Sequence, residues 1–218
     1  MRVQDIVRDH FNRDAQRFDA IYASDKTFIQ RVVDRFRQVV VERFRLICNL
    51  APIPGPWTAL DVGCGSGRYP IAFARNGAAR VVGIDVAHAM TSLAAAEAAR
   101  AGVQDRCEFV TVSFLDFESV ERFDAVVAMG YFDYLDDPGP HLQKMIAFSR
   151  GRVYASFPKR WDVRVPVRML RFALARGFVR FYSRANVERL LRGTGIPAAQ
   201  WSIVDFDRDW IVVLRVTR

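Results

Sequence analysis

The chain has 218 residues, 51% apolar and 26% charged, which excludes a disordered or fibrous protein and suffices for one large domain with its own core. Cys48, Cys64 and Cys107 have no metal-ligand spacing; their odd number speaks against a disulfide framework and fits a reduced, cytoplasmic setting, and no run approaches the ~18 apolar residues of a membrane span. The net charge is +8, and between Lys159 and Arg184 eight basic residues face one acid, Asp162, so +7 gathers in a stretch that could attract anionic substrates, nucleic acid or acidic lipid headgroups.

Val3, Ile6, Val7, Phe11, Ala15 and Phe18 recur at close to helical spacing, and the start of the chain is a mixed-charge amphipathic pattern, not an apolar signal core. A stronger helix is predicted from Phe28 to Ile47, with Phe28, Val32, Phe36, Val39, Val40, Phe44 and Ile47 on one core-facing stripe. Pro52, Pro54, Gly55 and Pro56 close this N-terminal unit, residues 1–50, and lead into a domain over 51–218.

From Trp57 strands and helices alternate. Strands are predicted over 57–62, 81–84, 107–112, 124–129 and 152–157, with helices over 67–75, 89–100 and 140–148 between them; Gly102 is a plausible helix stop. Apolar runs that do not strictly alternate, separated by helices, call for a parallel sheet covered on both faces, an α/β architecture. After Pro158 comes an amphipathic basic helix, 163–175, within an insertion over 159–180, with Arg160, Arg164, Arg168 and Arg171 at intervals of four, four and three. Ser183 could cap a helix carrying Val187 and Leu191, and the segments 201–206 and 210–216 read as a terminal hairpin.

The first strand runs into Asp61-Val62-Gly63-Cys64-Gly65-Ser66-Gly67-Arg68-Tyr69. An apolar strand, a glycine-rich turn and a helix form a usual opening of a nucleotide-like cofactor site: glycine reaches turn dihedrals closed to other residues and lets a ligand approach the backbone. Peptide N–H groups at the helix start then face that ligand. Asp85 directly follows the second strand, 18 residues after Gly67, where a carboxylate can accept both hydroxyls of a ribose. A dinucleotide GxGxxG fingerprint would need glycine at Arg68; the order here is D-x-G-x-G-x-G.

With Asp85, this pattern resembles the class I S-adenosylmethionine-dependent methyltransferases of small-molecule type. Residues 59–67 look like their first motif and 82–90 like their second. The resemblance implies a three-layer, Rossmann-like, seven-stranded sheet, mostly parallel with an antiparallel last strand, and lid helices over residues 1–50. It implies S-adenosyl-L-methionine as cofactor and S-adenosyl-L-homocysteine as product. Asp61 would hold the methionine end, with Gly63, Cys64, Gly65 and Gly67 beside it and Met129 nearby; Asp85 would take the ribose, and Val86 and Met90 would lie near the adenine. Where many members place an acid for the adenine amino group, this chain has Ser113-Phe114, so either Ser113 makes a weaker polar contact or Asp116 reaches back, while Phe114 walls the adenine.

The resemblance also surrounds the acceptor with three regions. Phe18 and Tyr22 come from the lid segment. Tyr131-Phe132-Asp133-Tyr134 follows the fourth strand, and Asp133, Tyr134 or, as an alternative at the start of a surface helix, His141 could take a proton from an attacking group. Arg160, Trp161 and Arg164 begin the basic insertion, loosely similar to the corresponding region of magnesium-protoporphyrin O-methyltransferase and related small-molecule enzymes; an arginine there could hold a carboxylate or phosphate in bidentate geometry, though a solvated face over Val167, Leu170 and Leu174 is the plain alternative. Transfer of a methyl group from a sulfonium needs orientation and exclusion of water and no metal. A small or medium-sized organic acceptor, with an anionic one in view, is the first expectation, methylated on oxygen first and on nitrogen or carbon as alternatives. RNA as substrate, peripheral contact with an acidic membrane, and a non-catalytic cofactor-binding protein are the alternatives, and the oligomeric state is not legible.

Overall fold

Short β-rich runs separated by amphipathic helices assemble into one seven-stranded sheet in the computed structural model, which describes residues 8, 47, 56–159, 180–206 and 208–217. The strands are β1 (Trp57–Val62), β2 (Ala78–Asp85), β3 (Cys107–Thr111), β4 (Phe123–Ala128), β5 (Ser149–Pro158), β6 (Trp201–Phe206) and β7 (Asp209–Arg215), in the order β3-β2-β1-β4-β5-β7-β6. Strands β1 to β5 are parallel, and β7 runs antiparallel between β5 and β6. The fold is thus the Rossmann-like α/β sheet with an antiparallel last strand that the sequence implies.

Helices α1 (Arg68–Arg75), α2 (His88–Arg100), α3 (Pro138–Phe148) and α4 (Arg184–Arg192) cover the sheet. Side chains alternate across a strand, and β1 shows it. Trp57 and Ala59 join Tyr69, Phe73 and Ala74 of α1 and Ala98 of α2 in the core on one face. Leu60 and Val62 join Leu142 and Met145 of α3 and Val187 and Leu191 of α4 on the other. Ile47, predicted on a core-facing stripe, is fully buried in the first of these cores. No described helix is long and apolar enough to cross a membrane.

The chain builds outward from β1 through β2 to β3, then returns to place β4 on β1's other side. Where the order reverses, the carboxyl ends of β1 and β4 leave a crevice, the usual ligand position in an open parallel sheet. Several boundaries differ from the sequence prediction. Strand β2 starts at Ala78 and includes Asp85 as its last residue. Helix α3 starts at Pro138, because Asp137 caps it by accepting from Gly139 N at 3.0 Å and proline suits a first turn. One expectation is overturned: His141 does not sit on a surface helix but is 4% exposed on the buried face of α3. Ser183 caps α4 with a reciprocal Asn186 contact, as its sequence suggests. The lid helices proposed for residues 1–50 (Ile47 and Arg8 apart) and the basic helix 163–175 lie outside the described residues.

Candidate cofactor and acceptor site

Beyond β1 the glycine turn is pinned to the end of the neighbouring strand: the amides of Gly63 and Cys64 both donate to Ile84 O, at 2.8 and 2.9 Å. Gly63, Gly65 and Gly67 all take left-handed dihedrals, with φ of 73°, 52° and 78°. Two of them serve different ends. A Cβ at Gly67 would meet Ala94 Cβ of α2 at 2.8 Å, so this glycine permits close helix packing. A Cβ at Gly65 would meet nothing among the described residues within 4 Å, so this one borders space that they leave open over the turn.

Two carboxylates interact at this turn. The Asp85 carboxylate accepts from Gly65 N through Oδ2 at 3.0 Å and from Ala87 N through Oδ1 at 2.9 Å, so it also shapes the turn it adjoins. Asp61 is 1% exposed, and its Oδ2 is buried with no hydrogen-bond partner among the described residues. Burial, and then the charge of Asp85, push the Asp61 carboxyl up to about 8. Burial also raises Asp85, against the lowering effect of backbone hydrogen bonds from Ala87, Gly65 and Val86. The buried Cys64 thiol is raised by desolvation and then by both acids, which makes it a poor nucleophile. No described basic side chain offsets the shift of either carboxylate. An orphaned acidic oxygen and a cradle open above Gly65 therefore fit a ligand that brings hydroxyl donors to Asp85 and a cation to Asp61.

The apolar side of the cradle comes from α2 and the loop after β3. Met90 is 2% exposed and packs with Ala87, and Val86 is half-buried beside Asp85. Val112 N donates to Asp85 O at 3.0 Å, bringing the following loop to the same edge. There Phe114 is buried, Ser113 is half-buried and Asp116 is exposed. The Ser113 carbonyl accepts from Asp116 N and Phe117 N, closing a tight turn that turns Phe114 inward.

Past β4, Met129 is buried with Tyr69 and Phe73. Tyr131, expected on the acceptor side, lies against the glycine turn: a Cβ on Gly63 would stand 2.8 Å from Tyr131 Cδ2. Its hydroxyl and His141 Nδ1 are hydrogen-bonded at 2.8 Å. A single 3₁₀ turn, Phe132–Tyr134, then carries Asp133, 5% exposed, and Tyr134, half-buried. This turn is tied to the chain that returns from the basic insertion. Arg180 N donates to Asp133 O at 2.8 Å, the Arg180 guanidinium donates to Asp136 O, and the Tyr182 hydroxyl donates to Phe132 O at 3.1 Å. On the outgoing side, Lys159 bridges to Tyr182. Both ends of the insertion thus meet beside Asp133. Phe18, Tyr22, Arg160, Trp161 and Arg164 lie outside the described residues.

Sequence reasoning missed the grip of Asp85 on Gly65, the Tyr131–His141 pair, and the anchoring by Arg180 and Tyr182. The first had a signal, since an acid after β2 adjoins the turn after β1 in any parallel pair of this kind. The others had none, because their partners come from elements whose pairing is tertiary.

With this geometry in hand, comparison with known proteins is informative. Residues 59–150 match the family described as "Methyltransferase domain". The ubiquinone biosynthesis O-methyltransferase of Paracidovorax citrulli is 39% identical over 102 residues, covering 46% of this chain and 42% of that protein. The tRNA U34 carboxymethyltransferase of Shewanella denitrificans is 34% identical over 88 residues, 40% of this chain and 27% of the relative. The chain thus spans less than half the length of these curated relatives. Among solved structures, magnesium protoporphyrin IX methyltransferase from Synechocystis PCC 6803 with bound SAH superposes with a TM-score of 0.77 at 20% identity, over 99% of this chain and 100% of that one, a likeness of fold.

Proposed function

We propose that the chain is a class I S-adenosylmethionine-dependent methyltransferase that binds S-adenosyl-L-methionine at the glycine turn and transfers the methyl group to a small or medium-sized, anionic organic acceptor, on oxygen. The observation that carries this reading is the Asp61–Asp85 pair around Gly65. One carboxylate lies within reach of a ribose diol, and the other has a buried oxygen, unpartnered among the described residues, matched to an α-ammonium group. The cofactor supplies an activated methyl on a positively charged sulfur. What remains for the protein is to orient the acceptor, exclude water and, for a hydroxyl acceptor, receive a proton.

In this reading Asp61, Gly63, Cys64, Gly65, Gly67, Asp85, Val86, Met90, Ser113, Phe114 and Met129 form the cofactor side. The acceptor lies over the Phe132–Tyr134 turn, where Asp133 or Tyr134 takes the proton, and beneath Phe18 and Tyr22 of the N-terminal unit. The basic insertion, whose ends meet at Asp133, brings Arg160, Trp161 and Arg164 to an acidic group of the acceptor. A relative named as a ubiquinone biosynthesis O-methyltransferase supports a small-molecule acceptor methylated on oxygen. The test is radiolabel transfer from methyl-labelled cofactor to a panel of phenols and ring carboxylates. Transfer to one class identifies the acceptor; saturable cofactor binding with no transfer across the panel and cell extracts points to a binding protein without turnover.

RNA is the second reading, favoured by the +7 segment and by the relative that carries a tRNA activity in its name. Retention on RNA that falls steeply with salt supports it, and a flat response counts against it. The same basic, amphipathic segment supports peripheral contact with an acidic membrane, where an amphiphilic acceptor would be delivered.

A further inference from the structure

We propose that His141 is a positioning residue of the cofactor pocket, holding the Tyr131 ring against the glycine turn so that Tyr131 forms a wall of the cofactor site. The inference rests on the reading of that turn as the S-adenosylmethionine site. Tyr131 follows β4, the strand beside β1, and its ring occupies the room that a side chain at Gly63 would need. Three rings from three separate elements close on one another there. Tyr131 meets Phe114 edge-on with centroids 6.3 Å apart, His141 lies 6.2 Å from Phe114 at 30°, and Tyr131 and His141 are 5.5 Å apart. Phe132 packs edge-on against Tyr131 from the next position, at 5.7 Å. The 2.8 Å bond between the Tyr131 hydroxyl and His141 Nδ1 is the polar lock in this otherwise apolar cluster. Without it a buried hydroxyl would lose its partner, and the ring would turn to find another.

The pair holds; it does not move protons. Burial lowers His141 to about 4, with Asp137 opposing and Lys144 assisting, so the imidazole is neutral across the working range. Burial, and then the charge of Asp85, raise the Tyr131 phenol. A general base is best poised near the working pH, and neither group is. The influence of Asp85 on the phenol also puts Tyr131 within the field of the carboxylate that faces the ligand.

The test is calorimetric binding of S-adenosyl-L-homocysteine to five chains: wild type, Tyr131→Phe, His141→Phe, His141→Asn and the double variant Tyr131→Phe/His141→Phe. Phenylalanine keeps the ring and removes the bond, whereas the asparagine amide stands where Nδ1 stood and can pair in either sense. The account expects about tenfold weaker binding for each phenylalanine variant and near-wild-type binding for His141→Asn. Tyr131→Phe combined with His141→Phe should be no weaker than either alone, because both remove one contact. Equal loss in His141→Asn and His141→Phe overturns it. So does unchanged affinity in Tyr131→Phe, or a multiplicative loss in the pair. A lowered melting temperature with unchanged affinity shows packing alone and overturns it too. If His141→Phe does not fold, Tyr131→Phe and His141→Asn still decide. Absence of binding by the wild type would instead defeat the reading of the site itself.

Discussion

The cradle at the ends of β1 and β2 and the face beyond β4 proposed for the acceptor share one edge of the sheet, yet they are assembled by different means. The cradle is mostly backbone. Three glycines in left-handed conformations, two amides on Ile84 O and one carboxylate on Gly65 N set its shape within some 25 residues of chain. The face beyond β4 is side chain and long-range contact, the Tyr182 hydroxyl on Phe132 O and Arg180 on Asp133 O and Asp136 O, with the Tyr131–His141 pair joining it to the cradle. A site shaped by backbone can be carried unchanged between proteins of different specificity, whereas one shaped by side chains can be rebuilt for each acceptor.

The largest effect that separates the two regions is expected from Asp85→Ala. Losing a charged acceptor for the ribose should weaken S-adenosyl-L-homocysteine by about a hundredfold, in line with the ~1.5–3 kcal/mol of a hydrogen bond to a charged group. Calorimetry on the folded variant reads this, and unchanged affinity would remove Asp85 from the ligand.

Within the cradle, Gly65→Ala and Gly67→Ala should part company. Both impose positive φ on a residue with a Cβ, at about 1–2 kcal/mol. Gly67→Ala adds the 2.8 Å clash with Ala94 and should be the more damaging to thermal stability. Gly65→Ala fills open space and should lower ligand affinity by more than its modest effect on melting. Equal effects of both variants on both readouts would mean that Gly65 borders no ligand.

Across the edge, replacing Arg160, Arg164 and Arg168 together should raise the acceptor KM about tenfold and leave cofactor affinity alone. If acceptor KM and kcat/KM both hold steady, the basic segment does not meet the acceptor.

The mildest distinction is in pH. The Asp61 carboxyl stands at about 8 in the folded chain against an ordinary 3.8. Its protonated form therefore favours the folded state, fully so below about pH 4, and that contribution fades as pH rises through about 8. The melting temperature of the ligand-free chain should fall over this window, and Asp61→Asn should flatten the curve. Binding a cation at Asp61 would expel its proton, so affinity should climb with pH by up to about tenfold per unit below 8 and lose that slope in Asp61→Asn. A wild-type affinity that is flat in pH would mean Asp61 meets no cation.

How much of this was legible follows the same division. D-x-G-x-G-x-G and an acid after the next strand are local patterns, and the turn, the parallel sheet and the terminal hairpin were read from such patterns, whereas the strand order β3-β2-β1-β4-β5-β7-β6 was not. Asp85 being the last residue of β2, not the one after it, is a small slip with a large consequence, because it puts the carboxylate on the turn. His141 shows where local reading fails. A histidine after Pro140 looks like the polar start of a surface helix, but capping by Asp137 and Pro138 moves the helix start back by two residues, and His141 meets Tyr131 inside. Nothing in the spacing of Tyr182 foretold its bond to Phe132, fifty positions away.

The account depends most on the occupant of the cradle, and a calorimetric titration of S-adenosyl-L-homocysteine into the folded wild-type chain addresses it directly. One saturable site per chain, with protons released to the buffer at neutral pH, is the predicted result. A folded chain that takes up neither this compound nor S-adenosyl-L-methionine would contradict it.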